Sequence, residues 1–315
     1  MRLYLRFILT MSLLVVLCVA SSSSDTNAGL RPAQSPGPIP DFSGLAWVEG
    51  DTFLALHDAK YPEEKDRVRA SLMLLPRSLD GITLKPLAID WPTPQGPSSD
   101  LESIARIPGT NSFLLTESGE ERDDRQQFRR VFLTELRNGQ LVFLSFTELP
   151  ATVKNIEGST VWKTGNRLIF AFAERADGLS RTEFYWADLE LQPLRVGAFR
   201  KTYFSPVGFT GANRRPVSAI EVDSLGRIYI ASAYDTEDDN GPFTSVIWRA
   251  GRFQNDRKGG ARPVFLSRPQ RLATLDGVKV ESLAVREMKK GVVELFAGTD
   301  DENYGGAVRP ILIGQ

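Results

Sequence analysis

From Phe42 onward the chain alternates apolar and polar residues in short runs rich in β-branched and aromatic side chains, and no long segment keeps a helical period. Runs such as ASLMLLP, RRVFLTEL, QLVFLSFTEL, TEFYWADL, VGAFRKTYF, TSVIWRAG and ARPVFLS read as strands. Turn signals separate them, among them Asp80-Gly81, Arg137-Asn138-Gly139 and Thr164-Gly165-Asn166. The pattern predicts an all-β protein.

Five stretches repeat one plan: a strand opening on Ser or Glu, a turn, then an apolar strand ending in an acid. They are FSGLAWVEGDTFLALHDA, LESIARIPGTNSFLLTES, IEGSTVWKTGNRLIFAFAE, VSAIEVDSLGRIYIASAYD and VESLAVREMKKGVVELFAGTDD. Their second residues, Ser43, Glu102, Glu157, Ser218 and Glu281, lie 59, 55, 61 and 63 residues apart. That period suits one four-stranded blade per repeat, so the fold class expected is a five-bladed β-propeller. The fifth unit offers only AVRPILIG after its motif. A ring left open there exposes two strand edges, so the segment around Gly29 to Pro40 is expected to close the last blade.

The first twenty residues change the picture of where the protein works. Arg2 and Arg6 precede an apolar run from Phe7 to Val19, and Ala20 offers a cleavage site, the pattern of an export leader too short for a membrane span. Cys18, the only cysteine, leaves with that leader, and lipid anchoring through it is disfavoured by Leu17. Residues 21–40 form a Ser- and Pro-rich spacer, and the propeller occupies 41–315. The net charge of −1 becomes about −3 without Arg2 and Arg6, which argues against a nucleic-acid partner. A secreted or periplasmic monomer is expected.

In a propeller the inner strands face a central channel, so the five key residues converge. Glu102, Glu157 and Glu281 would repel one another there unless a cation intervened. Ser43 and Ser218 add hydroxyl oxygens, and an oxygen-only ligand set selects calcium ahead of magnesium. The competing arrangement has these glutamates lining a watery tunnel or pairing with arginines, but no Arg or Lys occupies an equivalent key position.

The order Ser, Glu, Glu, Ser, Glu resembles that of the calcium-activated nucleotidases, five-bladed propellers with one axial calcium. The matching places read Ser43-Gly44-Leu45, Glu102-Ser103-Ile104, Glu157-Gly158-Ser159, Ser218-Ala219-Ile220 and Glu281-Ser282-Leu283. The resemblance implies a calcium site and a phosphate-directed activity. It weakens at the substrate motifs: His57-Asp58-Ala59-Lys60 stands where the family has Asp-Asp-Arg-Thr-Gly, and Glu174-Arg175-Ala176-Asp177 only echoes Arg-Arg-Ala-Ser. The chain is similar, more loosely, to the phytase-like and esterase-like propeller domains of exported bacterial proteins.

Acids ending the second strands are expected to gather at one mouth of the channel: Asp58, Glu117, Glu174, Asp235 and Asp300, with Asp301 and Glu302 beside them. Carboxylates near a metal can deprotonate a bound water, and Lys60 or Arg175 would hold a phosphoryl group. The acidity of the mouth opposes a free polyphosphate. His57, the only histidine, rules out a His-rich zinc site and is expected to hydrogen-bond near the mouth. The expected function is a calcium-dependent hydrolase of phosphate esters or anhydrides. The alternative is a non-catalytic propeller that uses calcium as a pin and binds a protein or glycan.

Overall fold

The computed structural model describes residues 39–59, 67–76, 81–91, 96–119, 128–255, 260–289 and 291–313. The segment expected to be an export leader, most of the expected spacer, Lys60 and part of the loop after Glu117 lie outside them. Alternating sequence becomes antiparallel sheet throughout, in five blades. The first contains β1 (Gly44–Glu49), β2 (Thr52–Leu56), β3 (Ala70–Leu74) and β4 (Thr83–Pro86), and the second β5 (Leu101–Arg106), β6 (Ser112–Glu117), β7 (Arg130–Arg137) and β8 (Gln140–Glu148). In the third, β9 (Ile156–Thr164), β10 (Arg167–Glu174) and β11 (Thr182–Leu191) are followed by β12 (Leu194–Val196) and β13 (Arg200–Phe204), which pair with opposite halves of β11. The fourth holds β14 (Arg214–Val222), β15 (Arg227–Tyr234), β16 (Thr244–Asn255) and β17 (Ala261–Asp276). The fifth holds β18 (Val280–Lys289), β19 (Val292–Thr299) and β20 (Val308–Ile311).

The inner strands pack in a closed ring, β1 on β5, β5 on β9, β9 on β14, β14 on β18, and β18 back on β1. Each blade is apolar on both faces, and every pair of adjacent blades encloses its own core. Phe113 and Phe132 fill the gap between blades 1 and 2, Phe170 and Phe172 that between 2 and 3, and Phe184, Trp186 and Trp248 that between 3 and 4. Tyr229 and Leu295 occupy the fourth interface, Phe53 and Phe296 the fifth. Burying one such side chain contributes about 1.5–3 kcal/mol, so each blade is stable chiefly against its neighbours. At the Arg137–Gln140 hairpin Asn138 and Gly139 both take positive φ (51° and 72°), the two-residue turn foreseen from that tripeptide.

Blade 5 has three described strands, one fewer than its neighbours. The chain before β1 touches it: the Gly306 amide donates to the Ile39 carbonyl at 2.8 Å, and Phe42 N–H to Thr299 O at 3.1 Å. The rest of the expected closing segment lies outside the described residues. No described helix is long and apolar enough to cross a membrane.

Candidate functional site

Three of the five key residues occupy one unusual backbone position. The ladder between β5 and β6 skips from Leu101 to Ser103, that between β9 and β10 from Ile156 to Gly158, and that between β18 and β19 from Val280 to Ser282. Glu102, Glu157 and Glu281 are the residues left unpaired. A β-bulge frees one residue from the alternation of its strand and re-aims its side chain. Here it brings Glu102 and Glu281 to the axis, where with Ser43 they line one polar cavity, while Glu157 does not line it and pairs with Arg175.

That cavity measures about 190 Å³ and opens at the end of the channel where the second strands finish. Asp58, Arg175, Asp235 and Asp300 line it, as the sequence reading expects, together with Arg215, Lys279 and Glu302. Glu117 and Glu174 do not. Glu117 lies fully buried between blades 1 and 2, paired with Arg130 at 2.7 Å and taking the backbone amides of Ser99 and Arg130, each at 2.9 Å. It ties a loop to a strand and is not offered to a substrate. Glu174 turns away from the mouth and accepts the Lys154 amide at 2.7 Å. Asp301 also works locally, accepting from Thr299 Oγ1 at 2.6 Å and Lys279 N at 2.8 Å.

The main departure from expectation is cationic. Arg175 forms an ion pair with Glu157, and Arg215 reaches Asp235 at 2.8 Å, Asp177 at 2.9 Å and Glu281 at 3.4 Å. The Lys279 ammonium lies 3.2 Å from Glu281, 3.3 Å from Asp300, 3.6 Å from Asp235 and 2.5 Å from Glu302. Much of the repulsion that argued for a divalent ion is therefore answered by the protein's own bases. Arg175, the expected phosphate clamp, is itself clamped. Lys279 was visible in principle only through its nearness, two residues before Glu281 and just outside β18. Arg215 was not, because the β14–β15 ladder slips between Arg215 and Ala219.

These surroundings divide the carboxyls. Burial works against the charge on Glu281, but Lys279, Arg215 and Arg175 outweigh it and hold the group down at about 2. Asp300, in hydrogen-bond reach of Glu281, is pushed up to about 9 by burial and by that neighbouring charge. Glu102 is driven well above the carboxylate range by burial and then by Asp100, Glu157, Glu281 and Asp58. The mouth thus holds an ionised Glu281 from blade 5 and, from blade 2, a Glu102 whose charge is strongly disfavoured. Blade 1 stands between those blades, so the two groups enter the cavity from different sides.

The fit to calcium is uneven. The Ser218 hydroxyl donates to the Val280 carbonyl at 2.7 Å, and Glu157 and Glu281 are ion-paired. The Ser43 hydroxyl, by contrast, is buried beside the cavity without a hydrogen-bond partner. Among the described residues no three His, Cys, Asp or Glu side chains are gathered as a ready metal site. The donors present suit a cation on the Ser43–Glu102 side of the channel, not across the whole ring. His57 uses both ring nitrogens internally. The Asp41 carbonyl can only accept, so Nδ1 donates to it at 3.0 Å and Nε2 accepts from Ser71 Oγ at 2.9 Å.

No protein-family model matches the chain, and no curated protein matches it. Solved structures do match. An exo-1,5-α-L-arabinanase from a bovine ruminal metagenomic library superposes with a TM-score of 0.51 at 10% identity, over 88% of this chain and 97% of that one. A Bifidobacterium bifidum s17 protein described as an exo-β-1,3-galactanase gives a TM-score of 0.50 at 14% identity, over 86% and 87%. The chain is a five-bladed β-propeller. At such identities the likeness speaks to the fold, and the nucleotidase and phytase resemblances gain no support from it.

Proposed function

We propose that the axial mouth is a hydrolytic site for a neutral, hydroxyl-rich substrate, a glycoside. The observation that carries this reading is the charge of the wall. Nine carboxyl side chains and three basic ones line the cavity, and all three bases are held in ion pairs. Such a wall repels free phosphate, whereas carboxylates accept readily from sugar hydroxyls. The arabinanase and galactanase with similar folds act, by their names, on glycans, which agrees with this choice.

Glu281, held ionised, takes a proton from water as its oxygen attacks the anomeric carbon. Glu102 on the other side, where burial and neighbouring carboxylates favour the protonated form, gives its proton to the leaving glycosidic oxygen, so the bond to the aglycone breaks as the new one forms. Asp300 keeps a second proton beside Glu281. The test is release of 4-nitrophenol from a panel of neutral aryl glycosides, with 4-nitrophenyl phosphate as the comparison. Glycoside cleavage lowered at least 100-fold in kcat by Glu281→Gln is expected. Cleavage of the phosphate ester alone would return the site to the phosphohydrolase reading.

A second reading rests on the unpartnered Ser43 hydroxyl next to Glu102. Calcium held there would pin blades 1 and 2 together, leaving a glycan-binding propeller without chemistry. It would also keep Glu102 ionised, so the two readings exclude each other. A calcium-dependent rise in melting temperature, lost in Ser43→Ala, supports the second. Glycoside cleavage unchanged by chelator supports the first.

A further inference from the structure

The opposite end of the channel opens into a separate cavity of about 690 Å³, between the far ends of the inner strands. Its size is that of a small-molecule site. Trp47, Trp162, Val222 and Val285 contribute apolar wall, and five charged groups face it, Arg106, Lys163, Glu221, Asp223 and Glu287. Four of these are already engaged within the protein or in solvent. The Arg106 guanidinium donates to the carbonyls of Thr110 (2.9 Å), Trp47 (3.1 Å) and Val48, and to Asn111 Oδ1 (3.4 Å). Asp223 accepts from the amides of Leu225 (3.0 Å) and Arg227 (2.9 Å), pairs with the Arg227 side chain and takes Tyr229 O–H at 3.3 Å. Glu287 accepts from Ser224 Oγ and Gly291 N, both on Oε1, and lies in the field of the Arg227 guanidinium, and Lys163 is exposed.

Glu221 differs. Both of its hydrogen bonds, from Val222 N at 2.7 Å and Thr160 Oγ1 at 3.1 Å, go to Oε1. Among the described residues Oε2 has no protein partner, and no base pairs with the group. Burial, with Asp223 adding to it, raises the carboxyl to about 8 against those two hydrogen bonds. A carboxyl with one open oxygen beside the apolar surface of Trp47, Val222 and Val285 is complementary to an ammonium group carrying an apolar body.

We propose that this second cavity binds a small organic cation, an arylalkyl amine in chemical class, whose ammonium hydrogen-bonds to Glu221 Oε2 while its apolar body lies on the Trp47 and Val285 wall. Below pH 8 binding displaces the proton of Glu221, so one proton leaves as one cation enters. Calorimetric titration of the full chain with 2-phenylethylamine and with 2-phenylethanol tests this. The amine is expected to bind about tenfold or more tightly at pH 8.5 than at pH 6.5 and to release a proton at pH 6.5, read from buffers of different ionisation heat. Glu221→Gln is expected to remove both the pH dependence and at least tenfold of the affinity at pH 8.5, with the alcohol binding weakly throughout. Equal binding of amine and alcohol, no proton release, or no heat from either would overturn the proposal. The proton count uses the unmodified protein, so the outcome does not depend on the variant folding.

Discussion

Glu117 and Glu281 are both buried, both end near strand termini and both meet a base, yet only one faces the channel. Glu117 gives all its oxygens to Arg130 and two amides. Glu117→Gln therefore strands the Arg130 charge in the interior, and urea unfolding should register a loss of about 3–5 kcal/mol. A loss below 1 kcal/mol would mean the pair is not the brace described here. Asp300 makes the opposite prediction. Its carboxyl is protonated in the fold up to about pH 9, against about 3.9 when unfolded. The folded state thus holds an extra proton through that window, and stability falls as pH rises through it. The urea midpoint of the wild type should drop more between pH 5 and pH 9 than that of Asp300→Asn, and equal drops would contradict the assignment. Activity should also decline as pH rises through about 9, when a second charge appears beside Glu281. Single residues were the least legible part of the sequence. Asp58, Asp235 and Asp300 share a repeat position with Glu117 and Glu174, and only packing decides which of them reach the cavity.

At the level of elements, the recurring feature is the bulge on the inner strand. It explains why the key glutamates stand out when repeats are aligned yet break the alternation of their own strands. It also explains what stayed hidden, since the slip between Arg215 and Ala219 moves an arginine into the mouth from a place that a regular strand would direct elsewhere. The bulges require close approach between neighbouring inner strands. A Cβ on Gly158 would stand 2.9 Å from the Ile220 amide and 3.2 Å from Ala219, with backbone on both counts. Gly158→Ala should cost about 1–3 kcal/mol by overpacking and weaken the site along with the fold. A melting temperature unchanged by this substitution would show that β9 and β14 are less tightly apposed than they stand here.

For the whole molecule, the count of repeats translated directly into the count of blades, because each blade buries its faces only against its neighbours and the period of the sequence is the period of the ring. The function did not translate as directly. Crowded negative charge looked like a demand for calcium, and the ring answered much of it with Arg175, Arg215 and Lys279, drawn from positions outside the aligned keys. What remains is a mouth with excess carboxyl, divided into ionised and protonated groups, at one end of the channel. Its selectivity is the most direct test of the account. The Glu281→Gln protein should give a saturable calorimetric titration with at least one of a panel of neutral oligosaccharides and none with inorganic phosphate. Binding of phosphate, strengthened by calcium and without any response to the oligosaccharides, would contradict it.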